Sequence, residues 1–324
     1  MTRKIFLWLL ATVLLTTVSL AHAQQPKVHR IGVILPGGPL YEAIDGLKVG
    51  LRELGMEEGK HLVLVIRDTK GEVKAAEEAA RNFEREKINL IYAVATSVVT
   101  AAKGATATVP IVFGVGSDPV TGGLITSFAI PGGRLTGVHY LVRDLTAKRL
   151  EVLKEVLPKL SRVLTLYNPA NRVAVESAKL GREEAKRLGL RFLERHVSSA
   201  EELHKRLQAL KPGEADAFFY TPDALIVGQA QLVIDTARSK KLATMFHEPS
   251  LVAKGALASY GQNYYEVGRA SAKYVQRVLN GAPTRDLRVE TIENIELAIN
   301  LQTAKQLGLI VPLELLARAH RVIK

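Results

Sequence analysis

The chain has 324 residues, 47% of them apolar and 23% charged, with no cysteine and a formal charge of +12. That composition belongs to a globular protein of about two domains and excludes a disordered chain, a collagen-like repeat and a polytopic membrane protein. It also removes disulfides, thiolate metal sites and cysteine nucleophiles. The positive charge is dispersed, with no block of five like charges, so it bears on solubility and encounter rather than on fold.

The N-terminus carries the features of a secretory signal. Arg3 and Lys4 precede an uncharged apolar run from Ile5 to Leu20, and Ala21-His22-Ala23 offers the small residues of a cleavage site. The run is short for a bilayer span. Residues 1–23 are therefore expected to be a signal peptide cleaved after Ala23, and an exported, periplasmic protein is expected.

Strand and helix patterns then alternate. Arg30 to Leu35 is a short apolar run ending at Pro36-Gly37-Gly38-Pro39, which predicts a buried strand and a loop. A helix follows to Leu54, then a strand over 61–66, a helix over 73–85, a strand over 88–94, a helix over 96–107 and a strand over 110–115. The series restarts at Arg162 to Tyr167, which ends at Asn168-Pro169. Further strands are expected over 191–197, 215–219, 243–246 and 255–260, with helices over 200–210 and 224–239. A helix over 144–157 joins the halves, and a long helix to Leu279 precedes a short strand near 296–299 and a helical tail over 301–308. This alternation predicts an α/β protein of two lobes, each a mainly parallel sheet flanked by helices. The lobes are expected to comprise residues 24–140 with about 264–290, and 141–263 with about 291–324. A chain crossing between them several times makes a hinge.

Several chemistries are absent from the pattern. Pro36-Gly37-Gly38-Pro39 matches neither nucleotide-binding glycine fingerprint, and the histidines beyond the signal form no H-x-x-x-H or H-E-x-x-H pair. There is no G-x-S-x-G elbow and no aromatic-basic stripe or recognition helix. No cofactor, no metal and no nucleic-acid partner is expected.

In open α/β sheets ligands bind at the carboxyl ends of the strands. The first half places Tyr41, Thr96, Ser97, Ser117 and Asp118 there. Thr96 and Ser97 start a helix, where they either receive a carboxylate or cap the helix. Asp118 either faces a ligand cation or stabilises its Gly-Ser-Asp-Pro turn. The second half offers Asn168, Asp223, Phe246, Glu248 and Tyr260. Asp223 and Glu248 either pair with an ammonium or cap the following helix, and the aromatic rings either wall a cleft or pack in the core. Asp118, Asp223 and Glu248 meeting across a cleft would also suit an acid-base enzyme.

At these loops the sequence resembles the periplasmic substrate-binding proteins of ABC importers, of the tryptophan/tyrosine type. The resemblance rests on an ordered set along nearly the whole chain: Arg30-Ile31-Gly32-Val33, Gly46 to Gly55, Pro110-Ile111-Val112-Phe113 with Asp118-Pro119-Val120, and Pro131 to Gly137. Lys148 to Lys154, Tyr167 to Asn171, Ser259-Tyr260-Gly261 and Ile299 to Gly308 complete it. It implies a type I periplasmic-binding-protein fold with three hinge crossovers. It implies capture of a small ligand, often an amino acid and in several cases aromatic, for an inner-membrane permease with its ATPase. The protein itself is expected to be a monomer and not an enzyme; a sensor for a membrane receptor is the other non-enzymatic outcome. By position, Thr96 and Ser97 would receive a carboxylate and Asp118 an amino group, with Asn168, Asp223, Glu248 and Tyr260 opposite. Ser117, where glycine is common, and the proline-bearing loop before Tyr41 depart from the pattern.

Overall fold

The computed structural model describes residues 28–324, so the expected signal peptide lies outside the described residues. In chain order the first part comprises β1 (His29–Leu35), α1 (Tyr41–Glu53), β2 (Leu62–Asp68), α2 (Val73–Arg85), β3 (Leu90–Val94), α3 (Thr96–Ala105), β4 (Ile111–Val115) and β5 (Leu135–Tyr140). Next come α4 (Thr146–Val156), β6 (Arg162–Tyr167), α5 (Arg172–Arg187), β7 (Arg191–His196), α6 (Ala200–Gln208), β8 (Ala217–Phe219), α7 (Ala224–Gly228) and α8 (Ala230–Ser239). The chain finishes with β9 (Ala243–Phe246), α9 (Ser250–Ala253), β10 (Ala258–Gln262), α10 (Tyr264–Leu279), β11 (Glu290–Ile292), β12 (Ile295–Asn300), α11 (Leu301–Gln306), α12 (Leu313–Arg318) and β13 (Arg321–Ile323).

These strands form two sheets, one per lobe. The first has the order β11-β5-β4-β3-β1-β2 and is parallel throughout. The second runs β13-β12-β10-β9-β8-β6-β7 and is parallel except where β10 meets β12. Strands β3 and β4 are buried along their whole length. That is why they read as continuous apolar runs, since helices cover both faces of a parallel sheet. The sequence pattern located most elements within a few residues but missed β5, β11, β13 and the short helices α9 and α12. It also read α7 and α8 as one helix.

The chain crosses between lobes after β5, between β10 and α10, and between β11 and β12. The second crossing carries α10 back from the second lobe to pack on α1. The two helices approach at small residues: a Cβ on Gly46 would overlap the carbonyl of Tyr265, and one on Gly268 would overlap that of Ala43. Glycine is required there because only hydrogen fits between the backbones.

Gly268→Ala is therefore expected to destabilise the protein despite the better helix propensity of alanine, by about 1–3 kcal/mol as in other overpacked cores. Urea denaturation checks this, and a variant as stable as the parent would mean that α1 and α10 can separate without loss.

Candidate functional site

A cleft lies between the lobes, lined from both of them. The first lobe contributes Leu40, the β3–α3 turn Ala95-Thr96-Ser97, and Gly116 after β4. The second contributes Asn171, Val173, Pro222, Asp223 and the start of α7. Tyr140, Val142 and Tyr264, from the first two crossings, line it together with Tyr220.

The α3 end is the electropositive side. Ala95 takes φ 82° and ψ 136°, a conformation costly for a residue with a Cβ, on the order of 1–3 kcal/mol. No side chain caps the helix, so the first amides of α3 stay available at its positive dipole end. Ser117 Oγ donates to Thr96 Oγ1 at 3.0 Å, which leaves the Thr96 hydroxyl proton to point elsewhere.

The opposite side carries a carboxylate. Asp223 is 3% exposed and caps α7. Its Oδ1 accepts from Leu225 N (2.9 Å) and Ile226 N (3.2 Å), and its Oδ2 from Asn168 N (3.2 Å) and Asn171 Nδ2 (3.0 Å). Burial nevertheless outweighs these donors and raises the carboxyl to about 6. At neutral pH it is mostly ionised.

Aromatic rings close the cleft. Tyr140 meets Tyr264 edge-on at 5.5 Å, and Tyr220 stacks on His247 at 4.4 Å. Tyr264 hydroxyl and His247 Nε2 are hydrogen-bonded. Burial holds the phenols of Tyr140, Tyr220 and Tyr264 above their usual range, so each remains a neutral hydroxyl.

Of the residues singled out from sequence, Thr96, Ser97 and Asp223 line this cleft. Ser117 stands behind Thr96. Asn168 uses its backbone amide to hold Asp223 and its side chain to close its own turn on Ala170 N. Phe246 is fully buried behind Tyr220, with ring centroids 5.7 Å apart. Asp118 accepts from the amides of Val120 and Thr121, which is the turn-stabilising role, and is not among the lining residues. Tyr41 is 41% exposed and donates to Asp68 Oδ2. Tyr260 offers its carbonyl to Arg149. Glu248 is fully buried, and burial, with Glu42 and Glu296 nearby, pushes its carboxyl well above the usual range. Asp118, Asp223 and Glu248 thus do not converge on the cleft; Asp223 alone lines it. Asn171, Tyr140, Val142 and Tyr264 were not selected from sequence. Asn171 was visible in the Asn-Pro-Ala-Asn turn, whereas the other three depend on where the crossings run.

The lobes touch across the cleft mouth through backbone. A Cβ on Gly38 would overlap the carbonyl of Val227, one on Gly71 the backbone of Leu225, and one on Gly228 the carbonyl of Pro36. Glu72 also accepts from Ala200 N at 3.4 Å.

The family model described as "ABC transporter substrate binding protein" matches residues 18–323. The chain is 29% identical to the tyrosine-binding protein of Clostridioides difficile (strain R20291) over 289 residues, covering 87% of this chain and 82% of that one. Among solved structures it is similar to a conserved domain protein from Vibrio cholerae O1 biovar El Tor, at 30% identity and a TM-score of 0.82, covering 91% of this chain and 100% of that one. It is also similar to an ABC domain in complex with L-Trp from Streptococcus pneumonia, at 22% identity and a TM-score of 0.80, covering 92% and 100%.

The raised Asp223 carboxyl has a measurable consequence. Its proton is held more tightly in the folded state than in the unfolded one, so stability falls as pH rises from about 4 to about 6. The stability difference between Asp223→Asn and the parent is expected to shift in favour of the variant by about 2–3 kcal/mol across that window. Denaturation curves at pH 4, 5, 6 and 7 measure it, and parallel pH profiles would refute the assignment.

Proposed function

The chain belongs to the ABC transporter substrate binding protein family, and we propose that it captures an amino acid, aromatic or apolar in its side chain, between its lobes by hinge closure. The architecture is the two-lobed type I periplasmic-binding-protein fold. The observation that carries the ligand reading is the polarity of the cleft: uncapped α3 amides with Thr96 and Ser97 on one side, Asp223 on the other, and tyrosine rings between. A zwitterion is the small molecule that satisfies both poles. Its carboxylate would take the α3 amides and hydroxyls, its ammonium would approach Asp223, and its side chain would lie against the rings. The relatives named for tyrosine and bound to L-Trp support this class.

A ligand spanning both poles favours the arrangement in which the lobes meet, because each charge-assisted contact is worth about 1.5–3 kcal/mol. Binding rather than catalysis is the reading for the cleft. Asp223 is the one carboxylate among the lining residues, and among the described residues no histidine, lysine or second carboxylate lines the cleft beside it as a proton-transfer or nucleophile partner. Export to the periplasm and delivery to a permease with its ATPase complete the proposal, in keeping with the family. Asp118 and Glu248 are not assigned to the ligand.

Calorimetric titration with L-tyrosine and L-tryptophan is the direct test. Saturable binding with the ligand recovered unaltered is expected; no binding by either, or by any other amino acid in a thermal-shift panel, would remove the reading.

Closure has its own test in Gly228→Ala. Gly228 lies in a helix without positive φ, so the new methyl is tolerated within its lobe but meets Pro36 across the cleft. The ligand-free variant is expected to stay within about 1 kcal/mol of the parent, while ligand affinity falls by about tenfold or more. Small-angle scattering should then show less compaction on adding ligand, whereas unaltered affinity and compaction would mean that the lobes do not close on this contact.

A further inference from the structure

Arg149 is the largest fully buried side chain among the described residues, at 0% exposure. It projects from α4, directly after the first crossing. Its Nε donates to the carbonyl of Tyr260 on β10 and its Nη2 to that of Val142 on the first crossing, each at 3.1 Å, while Nη1 is buried without a hydrogen-bond partner. Val142 lines the cleft. The ionisable groups acting on the guanidinium are the phenols of Tyr220, Tyr260 and Tyr264, two of which also line the cleft. No ion pair of Arg149 with a carboxylate occurs among the described residues. Asp223 also neighbours Tyr220, yet its acceptor positions are filled by other donors. Burial lowers the guanidinium to about 10, so it is still a cation at neutral pH, and the cation helps keep buried His247 neutral.

A buried ion without a counter-ion costs several kcal/mol, and well-packed apolar replacements of buried ions are often as stable. Two backbone hydrogen bonds do not require a full charge. What the charge adds is a positive potential in a desolvated wall, directly behind the cleft. At an interior dielectric of about 20, unit charges still interact at about 10 Å by more than roughly tenfold in affinity.

We propose that Arg149 is a specificity-determining residue: as an unneutralised cation behind Val142 and the tyrosine rings, it makes the cleft prefer a ligand bearing a carboxylate over its neutral-headed analogue. The inference rests on the amino-acid reading above and refines it. The α3 amides and hydroxyls supply the hydrogen bonds, and these are offered almost as well to a carboxamide oxygen. Arg149 supplies the charge discrimination, which the neutral donors provide only weakly. It acts through the wall and touches no ligand atom.

The test is calorimetric titration of L-tyrosine and L-tyrosinamide into the parent protein, Arg149→Met and Arg149→Lys. The readout is the ratio of acid to amide affinity, which a purely structural clamp would leave unmoved because loosening the hinge weakens both compounds alike. The parent should prefer the acid by about tenfold or more. Arg149→Met should lose about a tenfold share of that ratio, over and above any loss common to both compounds from freeing the crossings. Arg149→Lys, which keeps the charge without the planar fork, should retain the parent ratio within about threefold even where both affinities fall. An unchanged ratio in folded Arg149→Met overturns the assignment. Should that variant not fold, loss of the ratio in Arg149→Lys overturns it and retention supports it. A parent protein that binds no amino acid in the thermal-shift panel defeats the amino-acid reading first and this assignment with it. Where another amino acid binds in place of L-tyrosine, the same ratio is read with that acid and its amide. A parent that binds acid and amide with equal affinity defeats the assignment alone.

Discussion

Backbone polar groups in the middle of a protein must find partners, and where the chain passes three times between the two sheets, side chains supplement the backbone in supplying them. Arg149 serves Val142 and Tyr260, joining the first crossing to the second, and Gln262 Nε2 donates to the carbonyl of Ile292 at 3.0 Å, joining the second to the third. The crossings are therefore tied to one another rather than running as three loose tethers. Tyr140, Val142 and Tyr264 sit on or beside those same segments and line the cleft, so the crossings and part of the cleft lining are one piece of structure.

That identity matters for energetics. On the proposed reading, a ligand held between α3 and Asp223 would press on rings carried by the crossings, which would couple contact energy to lobe position without any intermediate element. The same apolar cluster continues from Leu40 through Tyr140, Val142 and Tyr264 to Tyr220 and Val227, running from one lobe into the other. At the mouth, Gly38, Gly71 and Gly228 allow backbone to meet backbone. The close packing of α10 on α1 then makes the long helix beyond the second crossing part of the first lobe, so that movement at the crossing displaces a rigid body.

The charges are arranged with equal economy. Asp223 is buried and supported by four donors, a layout that stabilises the anion without freeing it for chemistry. Glu248, equally buried but poorly supported, with Oε2 unpartnered, is pushed the same way by burial. The difference lies in what the local backbone offers: Asp223 sits at the N-terminus of α7, beside a turn that turns its amides inward. Two acidic residues that look interchangeable after strands in the sequence are thus supplied with different numbers of donors by their surroundings.

Much of the architecture was legible beforehand, because a parallel sheet buried on both faces leaves continuous apolar runs and its helices leave amphipathic ones. Strands such as β1, β3, β4 and β6 announced themselves in that way, and Asp223, Thr96 and Ser97 could be placed at strand ends by position alone. β5 was hidden by the long irregular stretch before it, and β11 and β13 are three residues each, too short for a period. The break between α7 and α8 falls at Gly228-Gln229 inside a helical pattern, and the close approach of Gly228 to Pro36 at that point is invisible until the lobes are together. The sequence by itself determined the elements, their alternation into two lobes and the residue types at the strand ends, since those follow from local periodicity and propensity. Which carboxylate faces the cleft, which rings line it and where a lone buried cation stands were decided only by the tertiary structure, because each depends on distances between segments more than a hundred residues apart.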